Sequence, residues 1–139
     1  MYRVCLVMCS SRKASSARKA ADLYLSPRFQ ADRLDAEQNF DCWYILSGKY
    51  GLLSPTKVVE VYDMDLDSVS EAERAAWGQH VVKMLCEQVP EGDTSVEIRS
   101  KLSYYQPLHT PLRAFGFVEA TNSREGYVRY IRLGLSARS

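Results

Sequence analysis

The chain has 139 residues, enough for one domain with a real core and too few for two comfortable ones. Its 18 lysines and arginines balance 17 acidic residues, so overall charge gives no reason to expect non-specific binding to nucleic acid or to a membrane surface. Cys5, Cys9, Cys42 and Cys86 lack CxxC spacing and paired histidines, which argues against a disulfide framework and a zinc site, and no metal or other cofactor is expected.

Residues 2–9 read as a buried strand. The run is shorter than a signal-peptide core with its flanks and far shorter than a membrane span, so a cytoplasmic protein is expected. Cys9 closes the strand and opens a loop holding Arg12 and Lys13, cations of the kind that make a thiol reactive; an inert strand-end residue is the competing reading. Ser10, Ser11, Arg12 and Lys13 combine hydroxyls, cations and free backbone amides ahead of a helix, the ingredients of a phosphate site, although a solvated polar turn has the same composition. The glycines of a P-loop are missing, so nucleoside-triphosphate hydrolysis is not indicated.

Ser16 is a plausible N-cap for a helix over residues 17–25, and Ser26-Pro27 restarts the chain as a helix through residue 38. A second strand at residues 43–47 is apolar enough to be buried on both faces. It runs into Ser47, Gly48, Lys49, Tyr50 and Gly51, where small residues let the backbone turn and approach a ligand closely. Lys49 and Tyr50 then project at the carboxyl end of the sheet, where open α/β sheets bind ligands. Tyr50 suits stacking on a nucleobase, a contact worth about 1–3 kcal/mol, and Lys49 suits a phosphate or a carboxylate.

The connection over residues 48–68 is long for a structureless segment and is expected to be functional or to carry an element of its own. Within it, Asp63, Asp65 and Asp67 alternate, so an extended backbone points their carboxylates one way. Asp63, beside Tyr62, is the candidate general base, and Asp65 and Asp67 read as a solvated acidic face.

Ser70 and Glu73 form a capping box for a helix that Pro90 stops, with His80 packed among apolar neighbours. Residues 94–99 give a third strand and 102–115 a helical segment disturbed by Pro107 and Pro111, where Tyr104, Tyr105, Gln106 and His109 are pocket-lining candidates. Residues 117–120 read as a fourth strand, and 124–135 as a final helix with Tyr127, Val128, Ile131 and Leu135 on one face. Arg124, Arg129, Arg132 and Arg138, interleaved with Tyr127 and Tyr130, suit nucleic-acid phosphates, and long arginines on the solvated side of such a helix are the competing reading.

The fold class this implies is α/β, a single domain of three layers with a mainly parallel sheet of about four strands, helices on both faces and right-handed crossovers. The first two strands are expected to be neighbours, which brings the loops around Lys13 and Tyr50 to one hollow.

The segments Leu46-Ser47-Gly48-Lys49-Tyr50-Gly51-Leu52-Leu53-Ser54-Pro55 and Val61-Tyr62-Asp63-Met64-Asp65-Leu66 resemble the signature of the YaaA-type peroxide-stress proteins. With Cys9-Ser10, Lys13 and Asp22-Leu23-Tyr24-Leu25-Ser26-Pro27-Arg28-Phe29, the chain is still more similar to a family of short bacterial and phage domains of unknown function. The resemblance covers about the first half of the chain, and YaaA-type chains are longer and usually carry proline and arginine at the places of Val61 and Asp63. It implies a three-layer fold similar to the uracil-DNA glycosylase superfamily, with strand-end loops forming a nucleobase pocket.

Residues and resemblance together point to an enzyme that hydrolyses or exchanges an N-glycosidic bond on a nucleotide or modified base, with a nucleotide or nucleobase as its ligand. Ser10 and Lys13 hold phosphate in this reading, and Tyr50 stacks on the base with Lys49, Gly51 and Tyr62 beside it. Tyr24 and Ser47 line the pocket, and Asp63 orients or deprotonates water. One alternative is a non-catalytic stress or defence module that binds DNA or RNA through Arg129 and Arg132. Another is a redox-responsive protein that senses through Cys9.

Overall fold

The computed structural model describes residues 1–134 apart from 12, 122, 124 and 125. The first strand, β1 (Tyr2–Met8), is the hydrophobic spine, with Val4, Cys5, Leu6 and Val7 essentially sealed from water. Such a run buries both faces of a strand and belongs in the middle of a covered sheet. The loop after β1 returns through a short strand, β2 (Arg18–Lys19), and a single helical turn, α1 (Ala20–Leu23). A helix over 17–25 does not form, because the backbone N–H groups of Ala20 and Ala21 donate to the carbonyls of Lys57 and Pro55. Helix α2 (Pro27–Asn39) begins where proline and the Ser26 cap place it, the Ser26 hydroxyl accepting from the Phe29 N–H at 3.2 Å.

Strand β3 (Cys42–Ser47) turns back immediately into β4 (Gly51–Leu53), and β5 (Val58–Val59) pairs antiparallel with β2. Gly51 sits at φ 72°, the left-handed conformation that glycine adopts at no steric cost, and this makes the tight reversal feasible. The long segment therefore contains a hairpin and a cross-strand clamp, followed by a 3-10 turn at Leu66–Ser68. Helix α3 (Glu71–Gln88), capped by Ser70, β6 (Thr94–Arg99) and α4 (Leu102–Ala114) follow the expected boundaries closely.

The carboxy-terminal region departs from expectation. The described residues of the expected 124–135 helix do not make one: β7 (Val118–Glu119) is followed by β8 (Val128–Arg132), antiparallel to both β6 and β7. Buried Val128 and Tyr130 alternate with half-exposed Arg129 and Ile131, a period of two that the apolar spacing of Tyr127, Val128 and Ile131 conceals.

Among the described residues the main sheet accordingly has six strands in the order β4-β3-β1-β6-β8-β7, rather than about four mainly parallel ones. Its centre, β3-β1-β6, is parallel, and antiparallel strands extend both edges. The connection from β1 to β3 runs one way along the sheet and that from β3 to β6 runs back past β1. Right-handed crossovers in opposite directions put α2 on one face and α3 on the other. Helix α4 packs on α3, and α2 packs on β1 and β3. Among the described residues no helix is long and apolar enough to cross a membrane.

Candidate functional site

The reversal of direction around β1 determines where a crevice opens. Beyond the carboxyl end of β1 the chain leaves toward α2, beyond that of β6 it leaves toward α4 on the opposite face, and the two loops diverge. A cleft of about 340 Å³ lies there. Met8, Cys9, Ser10, Ser11 and Lys13 come from the end of β1 and its loop, Arg99 and Lys101 from the end of β6, and Tyr104 from α4. The start of α2 contributes Ser26, Arg28, Phe29 and Asp32, and residues 63–65 cross over as a strap.

The strand neighbours are as expected, with β1 and β3 pairing in parallel and the Cys9 N–H donating to the Leu46 carbonyl at 3.0 Å. The hollow, however, opens between β1 and β6. Beyond β3 the space is filled: a Cβ added to Gly48 would stand 3.3 Å from the Met64 carbonyl oxygen, so the strap lies directly on the hairpin backbone. The Trp77 indole N–H also donates to the Ser47 carbonyl at 2.9 Å and seals the other side.

The sequence candidates thus separate into two groups. Cys9, Ser10, Lys13 and Asp63 line the cleft. Tyr24, Ser47 and Tyr62 form a buried hydroxyl cluster beside it: Tyr62 Oη is 2.6 Å from Tyr24 Oη and 2.8 Å from Ser47 Oγ, and Ser47 Oγ accepts from the Tyr50 N–H at 3.0 Å. Burial pushes the Tyr24 phenol up to about 12, and burial raises Tyr62 as well, so both are neutral donors over the ordinary pH range. Tyr50 packs edge-on against Tyr62 with ring centroids 5.3 Å apart, outside the cleft lining. Gly51 is buried against His80 and Val81 of α3, with no open face toward a ligand.

Lys13 connects the groups. Its backbone bridges to Tyr24, which brings Nζ within 4.7 Å of the Tyr62 ring centroid, while exposed Lys49 lies 5.3 Å from that of Tyr50 and 5.9 Å from that of Tyr62. Two ammonium groups around one tyrosine ring concentrate positive charge beside the cleft, and of the two Lys13 lines it. On the floor, Cys9 Sγ is 3.7 Å from Tyr104 Oη, which also accepts from the Leu66 N–H at 3.4 Å. Asp63 is exposed on the strap, and Lys101 ties that strap down by pairing with Asp67, whose carboxyl it holds below the usual carboxylate range.

Sequence reasoning missed Arg28, Asp32, Arg99 and Lys101. Arg99 and Lys101 follow the third strand, and the strand-end rule applied to the second strand finds them equally well when applied there. Arg99 is the hub of the charged network: Nη2 lies 2.7 Å from Glu97 and also pairs with Asp35, and Nη1 is 3.4 Å from Asp32. Burial raises the Asp32 carboxyl against the opposing pull of Arg99 and Arg28.

Arg129 and Arg132 do not form a strip, because the strand turns them to opposite faces of the sheet. Arg132 lies 4.6 Å from the Phe117 ring centroid and donates to the Phe115 carbonyl at 3.3 Å. His109 Nδ1 is bonded to Tyr130 Oη at 2.6 Å, remote from the cleft lining. Arg12, Arg124 and Arg138 lie outside the described residues.

Comparison with known proteins finds a family of unknown function, DUF6884, matching residues 4–123. The chain is 38% identical over 65 residues to the uncharacterized protein YfjM of Bacillus subtilis (strain 168), a match spanning 42% of this chain and 43% of that protein. No solved structure matches.

Proposed function

Because the chain belongs to the DUF6884 family, whose function is unknown, its activity has to be read from the site, and we propose an enzyme that hydrolyses or exchanges the N-glycosidic bond of a nucleotide or modified nucleobase. The observation that carries this reading is the cleft at the reversal point of the sheet, where Lys13, Arg28, Arg99 and Lys101 face Asp32, Asp63 and Asp65 around about 340 Å³. That volume falls within the range of small-ligand pockets, about 300–1,000 Å³. Such a mixture of charges suits a substrate with an anionic end and a reacting centre that becomes cationic.

Ser10, Ser11 and Lys13 bind the phosphate at the mouth, helped by the positive charge of Lys49 behind Tyr62. Asp63 orients water toward the anomeric carbon and its negative charge stabilises the oxocarbenium-like transition state. The water oxygen bonds to that carbon, the base leaves with the electrons of the N-glycosidic bond, and the proton lost by water passes to the carboxylate. Tyr24, Ser47 and Tyr62 hold the wall behind Lys13, in place of lining the pocket. The likeness of residues 46–66 to the YaaA-type signature, and through it to the uracil-DNA glycosylase superfamily, agrees with a nucleobase as the leaving group.

Purified protein incubated with mononucleotides and with DNA carrying modified bases is expected to release free base detectable by liquid chromatography and mass spectrometry. Asp63→Asn is expected to slow that release at least about a hundredfold. No free base from any of these substrates overturns the reading.

A further inference from the structure

Asp32 is the carboxylate whose surroundings suit it to a ligand better than to the fold. It lies on the second turn of α2 with its side chain only 8% exposed, and it lines the cleft. Its two charged partners among the described residues are distant, Arg99 Nη1 at 3.4 Å from Oδ1 and Arg28 Nε at 3.7 Å from Oδ2. Arg99 reserves its shorter contacts for Glu97 and Asp35. A carboxylate has room for about four hydrogen bonds, and burying one that among the described residues accepts a single long bond leaves a costly deficit that a donor entering from the cleft would fill.

The donor's chemistry follows from the neighbours. Two oxygens of one carboxylate are satisfied together by two adjacent N–H groups in a plane. A guanidinium or amidinium cation has them but would be repelled by Arg28, Arg99, Lys13 and Lys101, which share the cleft. A neutral heterocycle with a ring N–H beside an exocyclic amino group has the same donor pair without the charge. Phe29, one turn before Asp32, adds an apolar surface to the same wall.

We infer that Asp32 is a specificity-determining residue that reads the base, and that the base is of guanine type, bonded through its ring N–H and exocyclic amino group to the two carboxylate oxygens. This rests on the nucleotide reading above and narrows its substrate class.

Isothermal titration calorimetry of the full chain with GMP, IMP, AMP and XMP tests it. GMP is expected to bind at least about tenfold more tightly than IMP, which keeps the ring N–H and lacks the amino group. AMP, with a ring acceptor in place of the donor, is expected to be weaker still. Asp32→Asn is expected to lose the preference for GMP and to gain binding of XMP, whose carbonyl at the position of the amino group accepts from the new amide. A merely structural aspartate would not produce that exchange. The wild-type series stands whether or not the variant folds, and a thermal melt reports the variant's fold. Equal affinity for the four nucleotides, or a folded Asp32→Asn that still prefers GMP, overturns the inference and leaves the nucleotide reading standing. Failure of all four to bind overturns the inference, and the nucleotide reading falls with it only if the base-release assay also yields no free base.

Discussion

Tyr62 shows how one side chain can be indispensable near a site without entering it. Its hydroxyl stands between those of Tyr24 and Ser47, its ring edge meets Tyr50, and its face receives Lys13. Tyr62→Phe keeps the ring contacts and removes the hydroxyl, so two buried oxygens each lose a partner. The expected loss at neutral pH is about 1–3 kcal/mol, read from urea unfolding. The alkaline limb should move the other way. Tyr24 titrates near 12 when folded against 10.0 for an unburied phenol, and Tyr62 is raised too. A folded-state pKa above the unfolded one gives stability that is fully present below pH 10 and is lost as pH rises through the folded value, at about 1.4 kcal/mol per pH unit for each such group. Removing the Tyr62 phenol deletes one such group, so the variant's stability is expected to fall less steeply than the wild type's above pH 10. Parallel curves through that range would mean that the hydroxyl cluster does not hold its protons as described.

At the scale of elements, local signals succeeded where capping chemistry was explicit. Ser26-Pro27 and the Ser70–Glu73 box mark the starts of α2 and α3, and β6 has the expected bounds. They failed where strand pairing decided the outcome, with distant chain for β2 against β5 and β8 against β6, and across a tight hairpin for β4 against β3. The apolar set at Tyr127, Val128 and Ile131 satisfies a helical template and a strand template alike, and only the neighbouring strand chooses between them. Helix α4 is instructive in the opposite sense, because it runs unbroken through Pro107 and Pro111. Residue 111 has no N–H to offer the Pro107 carbonyl, and that carbonyl lies against Gly78 of α3, where an added Cβ would stand 2.2 Å from its oxygen. The prolines and the glycine are thus one device for bringing two helix backbones close together. Alanine in place of glycine inside a helix normally gains about 1 kcal/mol. Here the contact is with backbone that has no rotamer to change, and Gly78→Ala is expected to destabilise by about 1–3 kcal/mol net, as overpacked cores do. An alanine variant with a urea midpoint equal to or above that of the wild type would refute the close approach of α3 and α4.

For the molecule as a whole, the sequence pointed to the edge of the sheet at which the cleft opens, but to a neighbouring gap along it. Cys9, Ser10 and Lys13 were legible because they follow the most apolar strand, and Asp63 because it lies in a connection too long to be idle. That the hollow lies between β1 and β6 depends on strand order, which no local pattern encodes, and Asp32 was invisible for the same reason, whereas Arg99 closes the third strand and was open to the strand-end rule. Arg99 is also where the layers are joined, since it reaches from β6 to Asp32 and Asp35 on α2 with its side chain only 10% exposed. Removing one partner from a buried charge cluster leaves the others uncompensated, so Arg99→Ala is expected to cost about 3–5 kcal/mol in urea unfolding at neutral pH. The pH dependence identifies the cause. The Arg99 guanidinium holds the Asp35 carboxyl below its ordinary value, and a folded pKa lowered in this way gives stability that is present above the ordinary carboxylate range and is lost as pH falls through the folded value. The variant has no such stability to lose, and protonation relieves the mutual repulsion of Asp32, Asp35 and Glu97. The gap between wild type and Arg99→Ala should therefore narrow as the pH is lowered below about 4. A gap that stays constant down to that range would assign the loss to packing alone and remove the ionic link between sheet and helix on which the shape of the cleft depends.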